Sequence, residues 1–352
     1  MCGITGYIGY RDAYPIVING LKRLEYRGYD SSGIMMFDGE NIKISKTKGK
    51  VSDLEAITNK EAQSKVGKIG IGHTRWATHG VPNDVNSHPH SSQSNNLVIV
   101  HNGIIENYDA LRKELVSRGY SFKSDTDTEV LINLIEEVKK QEGCKLGKAV
   151  QLALNSVVGA YAISVFDKTK PNEIIIARLG SPIAIGVGKD NSEFFVASDA
   201  SPFIEYTKNA IYLEDEEMAI IKLHKEIKIR KIKDDSLVDA TIQELKISLD
   251  QIEKGGYDHF MLKEIHEQPK AILDTYRGRM LADDGIIRMA GIDDHMNKFL
   301  NADRIIIIAC GTSWHAGLVG EYLIEDKARI PVEVEYASEF RYRNPIITSK
   351  DV

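Results

Sequence analysis

The sequence predicts two domains of different class: an α+β layered domain, then the opening of a parallel α/β domain. Three observations carry this reading. Short apolar runs separated by tight turns fill residues 1 to 235. Helical periodicity interrupts them in only a few places. From His259 the texture changes to helical stretches and one continuous apolar strand, which a glycine turn, a helix and another strand follow. Length agrees, since 352 residues exceed one ordinary hydrophobic core.

In order, residues 3–9 read as a short buried strand. Residues 14–26 read as an amphipathic helix with Ile16, Ile18, Leu21 and Leu24 toward the core. Asp38-Gly39 between the apolar runs 34–37 and 42–46 is a hairpin signal. Residues 69–75 and 97–102 are apolar strands that each end in polar residues, and 107–118 and 127–140 read as helices. Strands follow at 160–167, 173–178, 183–187, 194–197, 210–213, 218–223 and 226–232, with short turns between them. The lysines and arginines of 225–233 have acids among or beside them and read as a solvated strand. Residues 234–257 are polar and irregular, with Gly255-Gly256, so the expected boundaries are 1–235 for the first domain, 236–258 for a linker and 259–352 for the second. There, helical stretches 261–267 and 270–279 lead to strand 304–309, helix 314–325 and strand 332–335. That order begins a doubly wound sheet. Such a sheet needs more strands, so the second domain reads as truncated at Val352.

Composition is that of a soluble globular chain and excludes several classes. A formal net charge of -6 gives no basic face for nucleic acid. No apolar run reaches the roughly 20 residues of a membrane helix. Met1-Cys2-Gly3 leads straight into strand-like sequence and is no signal peptide, which leaves the cytoplasm as the default compartment. The three cysteines, Cys2, Cys144 and Cys310, have no CxxC spacing and form neither a disulfide framework nor a zinc knuckle. His73, His79, His88, His90 and His101 are dense, but no HExxH pairing appears, so neither metal nor cofactor is expected.

Five clusters can carry chemistry, four of them in the first domain. Removal of Met1 leaves Cys2 with a free α-amine whose reference pKa of about 7.7 to 8.0 lies near working pH. A terminal thiol beside its own amine is a nucleophile with a built-in base; the plain alternative is a small residue that starts a strand. His73-Thr74-Arg75-Trp76-Ala77-Thr78-His79-Gly80 closes a strand, and Arg75 can clamp a carboxylate through two hydrogen bonds or form a structural ion pair. Asn102 and Gly103, also at a strand end, offer an amide and a backbone N–H side by side, either as an oxyanion hole or as a turn. In 124–129, Asp127 can receive an ammonium at a helix start while Asp125 or a threonine caps it. In the second domain Cys310-Gly311-Thr312-Ser313 joins a buried strand to a helix. Its hydroxyls and N–H groups suit a phosphate, though it lacks the lysine and spacing of a P-loop. The alternatives are ordinary capping by Thr312 or Ser313 and a small core residue at Cys310.

Taken in order, Met1 to Ile4, Leu24 to Ser31, His73 to Gly80, His101 to Asn107 and Thr126 to Val130 closely resemble the glutamine–fructose-6-phosphate aminotransferase family. The likeness continues through Lys263 to Ile265, Glu267 to Pro269, Cys310 to Ser313 and Ala337 to Arg343, and so spans the chain. It implies a four-layer αββα N-terminal-nucleophile glutaminase domain, followed by a truncated sugar isomerase (SIS) domain with an αβα parallel sheet. It implies Cys2 as nucleophile, Asn102 and Gly103 as oxyanion hole and Arg27 near the nucleophile. Arg75 would hold the glutamine carboxylate, Asp127 its ammonium, and Trp76, Thr78 and His79 would belong to the loop that closes over it. Cys310, Gly311, Thr312 and Ser313 match part of a fructose-6-phosphate pocket. The implied partners are L-glutamine, fructose 6-phosphate in the complete protein, and a second copy in a homodimer. The family's sugar site continues beyond Val352, so the chain would hold one whole active site and part of another. Two other readings are open: a stand-alone glutaminase or other class II amidotransferase, and a non-catalytic sugar-phosphate-binding regulator.

Overall fold

The computed structural model describes residues 2–60, 66–77, 80–245, 255–277, 279–281, 285–287, 292 and 295–352. The chain divides into two compact units, Met1–Gly255 and Gly256–Val352.

In the first unit the strands are β1 (Gly3–Ile8), β2 (Ser31–Phe37), β3 (Ile42–Lys48), β4 (Ile69–Arg75), β5 (His90–Ser91), β6 (Leu97–Ile105), β7 (Gly159–Asp167) and β8 (Glu173–Leu179). There follow β9 (Ala184–Val187), β10 (Phe194–Ala197), β11 (Asn209–Tyr212), β12 (Glu217–Lys222), β13 (Lys228–Lys231), β14 (Leu237–Val238) and β15 (Gln243–Glu244). They form an eight-stranded sheet in the order β15-β11-β9-β10-β1-β4-β2-β3 and a seven-stranded sheet in the order β14-β13-β12-β8-β7-β6-β5. The last two strands fall in the stretch whose sequence reads as a linker; they pair with β13 and β11.

Strand periodicity sorts the core into three slabs. Along β6, Val98 and Val100 point between the sheets, whereas Leu97 and Ile99 point outward to helices. Along β8, Ile174 and Ile176 face inward and Ile175 and Ala177 outward. The inter-sheet slab includes Ile4, Ile8, Ile71 and Phe194, and Phe37 meets Phe166 across it with ring centroids 5.2 Å apart. One outer face is covered by α1 (Ala13–Leu24) and α2 (Val51–Lys60), with Val17, Leu21 and Leu54 in the contact. The other is covered by α3 (Tyr108–Ser117), α4 (Asp127–Gln141) and α5 (Leu146–Leu154), through Leu111, Leu131, Ile135 and Val150. These four layers bear out the αββα expectation. Because central strands are buried on both faces, they read in sequence as continuous apolar runs.

The second unit holds α6 (Phe260–Tyr276), a hairpin of β16 (Met280–Leu281) and β17 (Ile286–Ile287), α7 (Met296–Leu300), β18 (Ile305–Ala309), α8 (Thr312–Ala328), β19 (Val332–Tyr336) and α9 (Ala337–Tyr342). β18 and β19 pair in parallel, from Ile305 opposite Val332 to Ala309 opposite Tyr336. The two helical stretches expected around Pro269 are one helix with the proline inside. Proline removes a ladder donor, and on a largely exposed helix water can take the freed carbonyl.

Candidate active site

The first-unit clusters picked out by sequence meet where β1 begins and β4 ends. Gly3 lies opposite Thr74, and Ser31 opposite Arg75, so Cys2, Arg75 and Trp76 share one end of a sheet. Gly3 has no room for a side chain, since a Cβ would come within 2.7 Å of both Leu24 Cβ and Thr74 Oγ1. Gly28 passes under the same corner, where a Cβ would lie 2.6 Å from the Arg75 carbonyl carbon.

Cys2 is half-buried, and its Sγ accepts the Trp76 N–H at 3.2 Å. Burial pushes the thiol up, with the Trp76 N–H and the Arg75 charge opposing the shift. A raised thiol is protonated at neutral pH and needs a base before it can attack. Trp76 stands edge-on to Tyr29, with ring centroids 5.4 Å apart. The next residue, Ala77, donates its N–H to Asp30 Oδ2, while Asp30 Oδ1 accepts the Ser31 hydroxyl at 2.9 Å. A cleft of about 650 Å³ lies here, lined by Tyr29, Asp30, Trp76, Ala77, Gly80 and Pro82 among others. Thr78 and His79 lie outside the described residues.

Asn102 comes from the other sheet. Its Nδ2 donates to the Cys2 carbonyl at 3.1 Å and to Ser198 Oγ at 2.9 Å. Its Oδ1 lies 2.9 Å from His73 Nε2. Gly103 has φ +132°, and a Cβ would stand 2.0 Å from the Ala160 carbonyl oxygen, so glycine is required.

Arg75 is 4% exposed and sends Nη2 to the Gly80 carbonyl at 3.5 Å. Burial lowers its pKa, opposed by the charges of Asp30, Cys2 and Asp127. Asp127 is the first residue of α4, and its Oδ2 accepts the Ile105 N–H at 2.8 Å. The helix cap is Thr126, whose Oγ1 accepts the Glu129 N–H at 3.3 Å, and not Asp125. Asp127 is thereby left outside the capping. A buried cation and a buried carboxylate near one thiol can hold the two charged ends of an amino acid. Arg27 Nε donates to Asp199 Oδ2 at 3.1 Å and to Tyr26 OH at 3.2 Å, and Asp199 follows Ser198, the partner of Asn102.

Behind Asn102 and Asp127 lies a buried histidine group. His73 stacks on His88 with centroids 4.2 Å apart, and His88 meets His90 edge-on at 4.9 Å. Thr128 Oγ1 is 2.9 Å from His101 Nδ1 and 3.3 Å from His88 Nε2. Burial is the first cause that lowers His73, to about 3, and that holds His88 and His90 well below the usual histidine range. These rings are neutral at neutral pH. Sequence reasoning noted their density but not their assembly. It missed Ser198 and Asp30 as partners of the site, because those contacts join segments far apart in the chain.

In the second unit, Gly311 (φ 59°) turns the chain from β18 into α8, whose first residue is Thr312. Among the described residues no side chain caps this helix, so neither Thr312 nor Ser313 takes that role. Cys310 is exposed, contrary to the expectation of a small core residue, because the chain has already left the sheet at Ala309. Trp314 stacks on Tyr336 at 4.4 Å.

Comparisons with known proteins follow this division. A model of glutamine amidotransferase domains matches residues 58–248, and a SIS domain model matches residues 298–352. The chain is 56% identical over its whole length to a glutamine–fructose-6-phosphate aminotransferase (isomerizing) of Bacteroides thetaiotaomicron, and 52% identical to one of Chlorobaculum tepidum. It spans 57% of the length of each. Among solved structures, a glutamine phosphoribosylpyrophosphate amidotransferase from B. subtilis matches with TM-score 0.57 and 25% identity, covering 98% of this chain and 68% of that one.

Proposed function

The chain belongs to the glutamine amidotransferase family, and from that premise we propose that it carries the glutamine-hydrolysing half of a glutamine–fructose-6-phosphate aminotransferase. The observation that carries this reading is the meeting of Cys2 and Asn102, with Nδ2 of one 3.1 Å from the carbonyl of the other, beside buried Arg75 and Asp127.

Loss of Met1 frees the Cys2 α-amine. That amine takes the thiol proton, and Sγ attacks the side-chain amide carbon of glutamine. The C=O π electrons move onto oxygen, where Asn102 Nδ2 and the Gly103 N–H receive the negative charge. Collapse breaks the C–N bond, the α-ammonium returns its proton to nitrogen, and ammonia leaves a thioester. Water then adds to the thioester, glutamate departs, and the thiol is restored. Arg75 pairs with the substrate carboxylate and Asp127 with its ammonium, which selects the amino acid over simple amides. Trp76, Thr78 and His79 contribute to glutamine binding in this reading. Arg27, paired with Asp199, supports the corner beside Cys2 from outside the pocket. A reduced thiol nucleophile fits the cytoplasm.

The sugar half of the reaction, which joins ammonia to fructose 6-phosphate, rests on Cys310 to Ser313. There the uncapped N–H groups of α8 and two hydroxyls suit a phosphate. In the complete protein a second copy forms a homodimer. The match of residues 298–352 to a SIS domain favours this sugar over a phosphoribosyl diphosphate.

The test is glutamate release from glutamine by the 352-residue chain beside Cys2→Ala, after intact mass confirms loss of Met1. Release by the parent and a fall of roughly 10⁴-fold or more in the variant is expected. Equal release by both proteins would remove Cys2 from the reaction.

A further inference from the structure

We propose that His73 is a positioning residue: its Nε2–H decides which way round the Asn102 amide lies, and so keeps Nδ2 aimed at the Cys2 side of the pocket. The inference rests on the reading of Asn102 Nδ2 as an oxyanion donor.

Hydrogen-bond accounting carries the argument. His73 Nε2 lies 3.0 Å from the His101 backbone carbonyl and 2.9 Å from the near atom of the Asn102 side chain. A backbone carbonyl only accepts, so Nε2 carries the proton. The Asn102 atom beside that proton must accept as well, and is therefore Oδ1. At the far end, Nδ2 faces the Cys2 carbonyl, again an acceptor only. Turning the amide over would set donor against donor at His73 and oxygen against oxygen at Cys2. The His73–Asn102 bond also joins β4 of one sheet to β6 of the other, so it fixes the amide relative to the strand that carries Cys2.

A general-base role for His73 does not fit. The residue is 1% exposed, its proton-bearing nitrogen is engaged twice, and Nδ1 has no partner among the described residues. Burial keeps the ring neutral. The ring plane is held by the stack on His88 at 4.2 Å. When the oxyanion forms, Nδ2 leaves Ser198 or the Cys2 carbonyl, and Oδ1 stays pinned as the pivot.

Two amide variants of one chemistry test this. The nitrogen of a glutamine side chain can stand where histidine Nε2 stands, whereas that of asparagine reaches only to the Nδ1 position. His73→Gln should keep kcat for glutamate release within about threefold of the parent, and His73→Asn should lower it on the order of 10- to 100-fold with KM within about twofold. Alkylation of Cys2 by iodoacetamide creates no oxyanion and should proceed at the parent rate in both. Equal kcat in the two variants, a loss carried by KM, or a loss that follows slowed alkylation would overturn the positioning role. Failure of the underlying reading looks different, since Asn102→Ala would then release glutamate with the parent's kcat.

Discussion

Ile174, Ile175 and Ile176 in the first unit and Ile305 to Ile308 in the second are equally apolar runs, yet the structure treats them differently. The first three are 0% exposed, with alternate side chains entering two separate slabs of core. In the second unit Ile305, Ile306 and Ile307 are half-buried and Ile308 is 44% exposed. The cause is the number of covered faces. β8 lies between β7 and β12 with a sheet on one face and helices on the other. β18 pairs, among named strands, with β19, and α8 packs on it where Gly317 approaches Ile307. Apolarity makes a strand, but the layers around it decide how much that strand contributes. The same contrast separates the sites. Asn102 and Asp127 sit in closed hydrogen-bond networks, whereas Cys310, Gly311 and Thr312 are exposed.

Acid should break the comparison most strongly. His73, His88 and His90 have folded-state pKa values below the unfolded value of about 6.5. Above pH 6.5 both states are neutral at these rings and no stability depends on them. As pH falls, the unfolded chain binds protons that the folded unit refuses, so stability is lost, and for His73 the loss continues to about pH 3. The expected loss is about 2 kcal/mol at pH 5 from His73 alone, and the lowered His88 and His90 add to it. The two tryptophans, Trp76 and Trp314, fall one in each unit. Urea unfolding followed in Trp314→Phe, with Trp76 as probe, should show the midpoint fall between pH 7 and 5. A flat midpoint would mean that the histidines titrate in the folded state.

A pair of truncations sharpens the packing contrast. Ile175→Ala empties a closed slab and should cost about 3 to 4 kcal/mol, whereas Ile308→Ala should cost under about 1 kcal/mol. Unfolding of each variant, read by the tryptophan of its own unit, checks the difference; equal costs would refute the argument from covered faces.

The smallest expected effect concerns the buried cation. Arg75→Lys should raise KM for glutamine about tenfold, near 1.4 kcal/mol, with little change in kcat, because one ammonium cannot replace a planar fork. An unchanged KM would take Arg75 away from the substrate carboxylate.

Much of this molecule was legible in one dimension. Strand periodicity marked β4 residue for residue and most of β6 to β13, because both faces of those strands must be apolar. The motifs around Cys2, Arg75, Asn102 and Asp127 were visible as polar residues at the ends of apolar runs. α2 was not, since Val51 and Leu54 are its only buried apolar residues and leave little periodic signal. The strands at 237–238 and 243–244 are two residues each, too short to show a period, and each lies at a sheet edge.

What the sequence by itself determined is the set of elements and the chemical groups at their ends, since periodicity and side-chain type are local properties. What only the tertiary structure decided is which groups meet. Asn102 joins Ser198 across 96 residues and His73 across 29, and each bond needs two strands brought into register. The neutrality of the histidines, the orientation of one amide and the rise in the Cys2 pKa all follow from burial, which no single segment specifies.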